Sequence, residues 1–309
     1  MRTFDSDALE CLAAIVEEGG FERAAVRLSI TQSAVSQRLR ALEAQVGTVL
    51  LVRSRPVKAT SAGRLLIKHA MQMRLLRADL ETDLKDLAPS TGAVREDERI
   101  SIAINADSIA TWALPALDPL VHDGLPLEVI TDDQDFTHEW LREGQVLGCV
   151  TTLKQALRGC KVQSLGAMQY VVVASADYAA AHCPQGLTPH NFRSIPFVAF
   201  NRKDDLPTEF VSRALNLRRV SLSQRFVPSS EGQVRAVLAG WGASIVPELL
   251  VQGLLESGQL VNLAPDIRLP VNLYWHCWNL DSEVIDRLTQ ALSGAAIRLL
   301  GAKNQVVTK

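Results

Sequence analysis

Ser33, Ser36, Gln37 and Arg40 recur at i, i+3, i+4 and i+7, with Gln32 beside them, so they share one side of a single helix. Hydroxyls, amides and a guanidinium at one end of a helix are the groups that read base edges and hold phosphates in a DNA duplex. A helix made only to face water more often carries Glu and Lys there. The other side, Val35, Leu39, Leu42 and Val46, is an aliphatic seam. Thr31 stands where an N-cap belongs. Before it, Ser29–Ile30 break the pattern of a shorter helix whose Phe21, Ala24, Ala25 and Leu28 fall on one face. Two helices, a short turn and a polar second helix have the form of a helix-turn-helix. An ordinary amphipathic hairpin satisfies the same periodicity, so the flanking residues must decide.

They carry charge of one sign. Residues 50–53, the turn Ser54–Arg55–Pro56 and Val57–Lys58 read as a two-stranded wing whose Arg53, Arg55 and Lys58 would reach the DNA backbone and minor groove. Between Phe21 and Arg77 eleven basic residues stand against two acids, a surplus of nine. The whole chain carries −2, so the remainder sums to −11. A basic lobe on an acidic body is the footprint of a nucleic-acid binder, which a pI near 6.3 conceals.

Three elements must position these groups. Asp5 or Ser6 caps a first helix bearing Leu9, Leu12, Ala13 and Val16, ended by Gly19–Gly20, which packs behind the other two. Thr60 or Ser61 opens a long helix, about 62–87, in which Leu66, Met73, Leu80 and Leu87 repeat every seven residues. It fits a dimerising linker that sets half-site spacing; a long core helix is the alternative. Residues 89–98, PSTGAVREDE, have the composition of a hinge.

Beyond Arg99 strands and helices alternate. Strands are expected at 100–105, 125–131, 146–151, 169–175, 195–200, 222–227, 243–246 and 271–278. Helices are expected from Ser108, from about Phe136, and over 209–215, 231–239, 248–256 and 282–300. Such repeated units predict open, mostly parallel sheets, with the tail 301–309 loose. Trp275 and Trp278 read as core.

Ligands of open α/β sheets bind beyond the carboxyl ends of strands, where helix N-termini point. Three such places carry small polar groups: Asn105, Asp107 and Ser108 after the first strand, Thr151 and Thr152 after the third, and Ser229, Ser230 and Glu231 before a helix. Each is also an ordinary capping sequence; together they look like the walls of one cleft. Ser108, Thr152 and Ser230 suit the carboxylate of an α-amino acid. A basic side chain would need a carboxylate at its far end. Asp107, Asp132, Asp133, Asp135, Asp204, Asp205 and Glu231 are candidates, with Asp107, Asp133 and Asn201 favoured; any one of them also reads as a solvated loop charge.

Catalysis and metal binding find little support. The six histidines show no metal-ligand spacing, and Gly242–Ala243–Ser244 starts like a nucleophile elbow but has Val246 where glycine is required. No phosphate-binding glycine loop is present. No stretch approaches the ~20 apolar residues of a spanning helix. Five cysteines without a C-x-x-C pair read as reduced, buried thiols of a cytoplasmic protein, redox sensing by Cys160 or Cys183 being the alternative.

The pattern AA-x2-L-x2-TQSAVSQ-x-LRALE-x3-G-x2-LL-x-R, Ala24 to Arg53, resembles the N-terminal signature of LysR-type transcriptional regulators. Leu51 stands where many members have Phe, a change of core side chain. NADS-x-ATW-x-LPAL (Asn105–Leu117), PSSEGQVRAVLAGWGASIVP (Pro228–Pro247) and LYWHCW (Leu273–Trp278) resemble the branch that answers to lysine and arginine and activates basic amino-acid export. The resemblance implies a non-enzymatic α+β multidomain chain with no cofactor. Its parts would be a winged helix-turn-helix (1–59), a dimerising linker helix (60–88), a hinge (89–98) and an effector module (99–309) like type 2 periplasmic binding proteins. Lobe one would span about 99–165 and 268–309, and lobe two about 166–267. The DNA contacts would be Thr31, Gln32, Ser33, Ser36, Gln37, Arg40, Arg53, Arg55 and Lys58. Implied partners are double-stranded promoter DNA, a small-molecule effector, RNA polymerase and further copies of the chain, as dimer and tetramer. An architectural DNA binder acting at replication origins without an effector is the alternative.

Overall fold

The computed structural model describes residues 4–52, 54–87, 99–132, 137–301 and 306–308. Helix α1 (Ser6–Glu17) starts at Asp5, whose carboxylate accepts from the Asp7 N–H at 3.0 Å. Helices α2 (Phe21–Arg27) and α3 (Gln32–Val46) are joined through Ser29, at a left-handed φ of 53°. The Thr31 hydroxyl accepts from the Ala34 N–H at 3.2 Å and so caps α3. Strands β1 (Leu51–Val52) and β2 (Lys58–Ala59) pair antiparallel to form the wing.

Helix α4 (Ser61–Leu87) begins at Thr60, whose hydroxyl accepts from the Gly63 N–H at 3.1 Å. Gly63 admits this packing, because a Cβ there would lie 2.1 Å from the Leu50 carbonyl oxygen. Leu9, Leu12, Ile15, Leu42 and Leu50 form one core with Ile67 and Ala70 of α4. Since α4 covers a further side of α1, burial extends to Cys11, Ala14 and Ile15, while Val16, expected in the stripe, is only half-buried. Arg74 of α4 ties the two helices together through Glu10 at 2.6 Å and Glu17 at 3.1 Å. Burial disfavours its charge, but those carboxylates outweigh it and hold the guanidinium pKa above its usual value.

The remainder is built on one ten-stranded sheet. β3 (Ile100–Asn105) leads into α5 (Ala106–Ser108), a π-helical turn Ile109–Ala113 and α6 (Leu114–His122). Then come β4 (Leu127–Asp132), α7 (Thr137–Arg142) and β5 (Gly148–Thr151), the three strands being parallel. β6 (Cys160–Ser175) crosses to the second half, which holds α8 (Ala176–His182), β7 (Pro196–Ala199), α9 (Leu206–Ala214), β8 (Ser223–Phe226), α10 (Ser230–Leu238), β9 (Ala243–Pro247), α11 (Glu248–Glu256) and β10 (Leu260–Asn262). β11 (Leu269–Trp278) returns alongside β6, and α12 (Glu283–Leu299) packs on the first half.

Two expectations need correction. The sheet is mixed: β6 and β11 run antiparallel to each other and to β9 and β5, because one strand must leave each half and another come back. The tail is not wholly loose, since β12 (Val306–Thr308) pairs with Lys161–Gln163 of β6. Trp112, Trp275 and Trp278 are fully buried, and the Trp275 indole donates to the Thr289 hydroxyl at 2.9 Å. All five cysteines are buried and free; burial raises the Cys149, Cys160 and Cys183 thiols and pushes Cys277 up to about 11. Thiols held protonated and covered are structural groups, which disfavours the redox reading of Cys160 and Cys183.

Candidate functional site

The α1–α2–α3 packing turns Val35, Leu39 and Leu42 inward. Thr31, Gln32, Ser33, Gln37 and Arg40 are consequently exposed, with Ser36 half-buried among them. Arg38, on the flank, is held instead by Asp7 at 3.0 Å and by the Cys11 thiol. Arg55 and Lys58 are exposed on the wing, which is anchored to the end of α1 by the Val57 N–H donating to the Gly19 carbonyl. Arg53 lies outside the described residues. The exposed residues of α3 and the wing thus offer amides, hydroxyls and the cations Arg40, Arg55 and Lys58, which suits a major groove flanked by phosphates.

The second site lies where β3 and β5 end. A cavity of about 240 Å³ is lined by Asn105, Asp107 and Thr152 from the first half and by Phe200, Asp204, Asp205, Glu209 and Gln233 from the second. Among the described residues four of its lining side chains are carboxylates and none is basic. Asn105 is 2% exposed, and neither its oxygen nor its nitrogen has a partner among the described residues. The Ser108 and Ser230 hydroxyls, also buried, are equally bare. Buried polar atoms are normally paired, so these groups are open to a ligand or to water. The Tyr170 hydroxyl donates to Asp107 at 2.6 Å, and Asp204 accepts from the Phe200 and Leu206 N–H groups at 2.9 and 3.1 Å.

The structure therefore joins some of the expected ligand residues and separates others. Asn105, Asp107 and Thr152 line the cavity; Thr151 is buried directly behind, taking a long bond from the Leu153 N–H. Ser108 and Ser230 are buried near their helix starts, and Ser229 is used as the cap of α10 through the Gly232 N–H at 3.1 Å. Asn201 and Glu231 do not line the cavity, the Asn201 side chain bonding the Lys203 N–H at 2.6 Å. Asp133 and Asp135 lie outside the described residues. Glu209, Gln233 and Tyr170 were not singled out from sequence; the acidic pair Asp205 and Glu209 at i, i+4 was the available signal. Among the described residues no group of three or more His, Cys, Asp or Glu could hold a metal ion, and no helix is long and apolar enough to cross a membrane.

A winged helix-turn-helix joined by a long helix to a two-part module with a ligand-sized cleft defines a one-component transcriptional regulator. The chain belongs to the LysR family: residues 6–64 match the bacterial regulatory helix-turn-helix protein of the lysR family, and residues 94–296 match the LysR substrate binding domain. It is 39% identical to the HTH-type transcriptional regulator ArgP of Aeromonas salmonicida over 301 residues, 97% of this chain and 99% of that protein. The crystal structure of ArgP from Mycobacterium tuberculosis superposes with a TM-score of 0.81 at 40% identity, covering 95% of this chain and 98% of that one. Full-length LysG from Corynebacterium glutamicum, solved with bound effector arginine, gives 0.72 at 34% identity, covering 95% and 98%. The family is one of transcriptional regulators, not enzymes.

Proposed function

We propose that the protein senses a basic amino acid, lysine or arginine, in the cleft between its lobes and controls promoter DNA accordingly. The observation that carries this is a cavity whose described walls hold four carboxylates and no basic side chain, next to a buried asparagine with no partner among the described residues. Asn105 and Thr152 would hold the carboxylate end and Asp107 the α-ammonium. The bound arginine of the related LysG structure supports the same ligand class.

Residues 60–88 would dimerise through the exposed Leu65, Leu76 and Leu80, since Leu66 and Met73 of the seven-residue repeat pack instead against the helix-turn-helix core. The dimer would place α3 in the major groove, with Arg55 and Lys58 on the backbone. Ligand control requires different affinities for two assembly states, since equal binding shifts nothing. Closure of the lobes, about 99–165 with 268–309 against 166–267, would bias how dimers pair into a tetramer. That change would alter DNA bend and contact with RNA polymerase. The output, in the cytoplasm, would be activation of an amino-acid exporter gene.

Calorimetry with lysine and arginine, paired with band shifts on the promoter of the neighbouring divergent gene, tests this. The expected result is heat with at least one of the two and a shift that changes in its presence. Heat with neither, together with an unaltered shift, rejects it.

A further inference from the structure

Two of the four cavity carboxylates are already engaged within the protein. Asp107 is bound by the Tyr170 hydroxyl, and Asp204 has both oxygens on backbone N–H groups. Asp205 and Glu209 are different. Both are exposed, both line the cavity, and no hydrogen bond or ion pair from another described residue reaches either carboxylate. They bracket the first turn of α9 at i, i+4, which makes them neighbours on its surface. Like charges at that spacing destabilise a helix, with the N-terminal dipole offsetting part of the cost. The ordinary structural reason for Asp205 is not in use: it occupies the N-cap of α9, yet its side chain makes no capping hydrogen bond. The adjacent cations, Arg202 and Lys203, do not line the cavity.

Across the cavity, on the other lobe, sits Asn105, 2% exposed with both side-chain polar atoms bare among the described residues. One wall therefore offers a neutral donor–acceptor group beside Asp107, and the opposite wall offers two unrelieved negative charges. A ligand with a zwitterionic end and a distant cation matches both walls at once.

We propose that Asp205 and Glu209 are the specificity-determining pair of this cleft, clamping the terminal cation of the effector side chain from lobe two while its amino-acid end is held by lobe one. This rests on the reading of the cleft as a basic amino-acid site and adds which groups select the base. It also links recognition to regulation. Only a side chain that is long and cationic reaches α9, so only such a ligand draws the two lobes together; a neutral isostere occupies lobe one without closing it.

The test is titration of the full-length protein, and of Glu209→Gln and Asp205→Asn, with arginine, lysine and citrulline, the uncharged isostere of arginine. Wild type is expected to prefer arginine to citrulline. Each variant should lose about tenfold or more of arginine affinity, the scale of a lost charge-assisted bond, with citrulline affinity little changed. The arginine-to-citrulline ratio is the deciding readout, because a merely structural role for α9 would weaken both ligands together. Unchanged ratios in both variants, with wild type still binding arginine, overturn the assignment and leave the site reading intact. Wild type binding none of the three removes the site reading, and the assignment falls with it.

Discussion

Gln32, Ser33, Gln37 and Arg40 meet water on the outside of α3, whereas Asn105, Ser108 and Ser230 are shut inside the effector module without partners among the described residues. The first set gives up little when the protein is alone, since water satisfies each group until DNA displaces it. The second set has no protein partner among the described residues, and a buried group of this kind is expensive to leave unpaired, on the order of 1–3 kcal/mol, unless water or a ligand meets it. On the proposed reading, the DNA-facing groups are satisfied by water until a duplex replaces it, and the cleft groups are satisfied by the ligand. A regulator gains from that division, because ligand can change the cleft without rebuilding the reading head.

The division is also one of cores. Leu12 is buried with Leu9, Ile15 and Leu42, and Leu288 with Trp275 and Leu292, in separate clusters. Leu12→Ala and Leu288→Ala should each cost about 2–5 kcal/mol. Thermal unfolding should show the first lowering the DNA-binding transition with arginine heat intact, and the second the reverse. Loss of both activities from either substitution would mean that the regions fold as one unit. Next in size, Arg40→Ala should weaken promoter binding about tenfold and flatten the salt dependence by roughly one charge, leaving arginine affinity unaltered. Band shifts at several salt concentrations measure both.

Smaller and opposite in sign is Ser108→Ala. Its hydroxyl is buried with no partner among the described residues, so its removal should leave stability of the unliganded protein equal or raised by about 1 kcal/mol. If the group serves the ligand, directly or through water, arginine affinity should fall in the same variant. A variant that lost stability would show that the hydroxyl has a partner inside the fold, and the contrast between the two sites would weaken.

The same contrast explains what the sequence disclosed. The DNA face lies on one helix, and periodicity alone places Ser33, Ser36, Gln37 and Arg40 together. The cleft is assembled from the ends of β3 and β5, the turn at Phe200–Asp204, and α9, so its members are scattered over more than a hundred positions. Asn105 and Thr152 were legible as strand ends. Glu209 offered only its i, i+4 spacing from Asp205, a weak signal, because an acid in the first turn of a helix is ordinary until the fold shows what it faces. The first half of β6 escaped for a local reason: Lys161, Gln163 and Ser164 make it polar, and Gly166 at φ 89° reads as a turn. The antiparallel crossing of β6 and β11 comes from topology, which no local window contains.

The faintest expected effect concerns pH. His276 of β11 is fully buried; its Nε2 donates to the Leu153 carbonyl at 2.6 Å, and its Nδ1 has no partner among the described residues. Burial lowers its pKa below 6.5, the Leu153 bond opposes that, and nearby His138 adds to the lowering. The unfolded chain therefore takes up this proton at a higher pH than the native one. Stability contributed by neutral His276 is present above about pH 6.5 and declines as pH falls toward the depressed native value. Leu153 follows Thr152, a wall of the cleft, so arginine affinity should decline only where the native imidazole itself takes up the proton, below the window in which stability is lost. DNA binding at fixed salt should not, because neither α3 nor the wing holds a histidine. Melting temperature and arginine Kd at pH 7.5 and 5.5, in wild type and His276→Gln, decide the matter. The variant keeps a donor for Leu153 but cannot titrate, so equal pH slopes in the two proteins would remove His276 from the account.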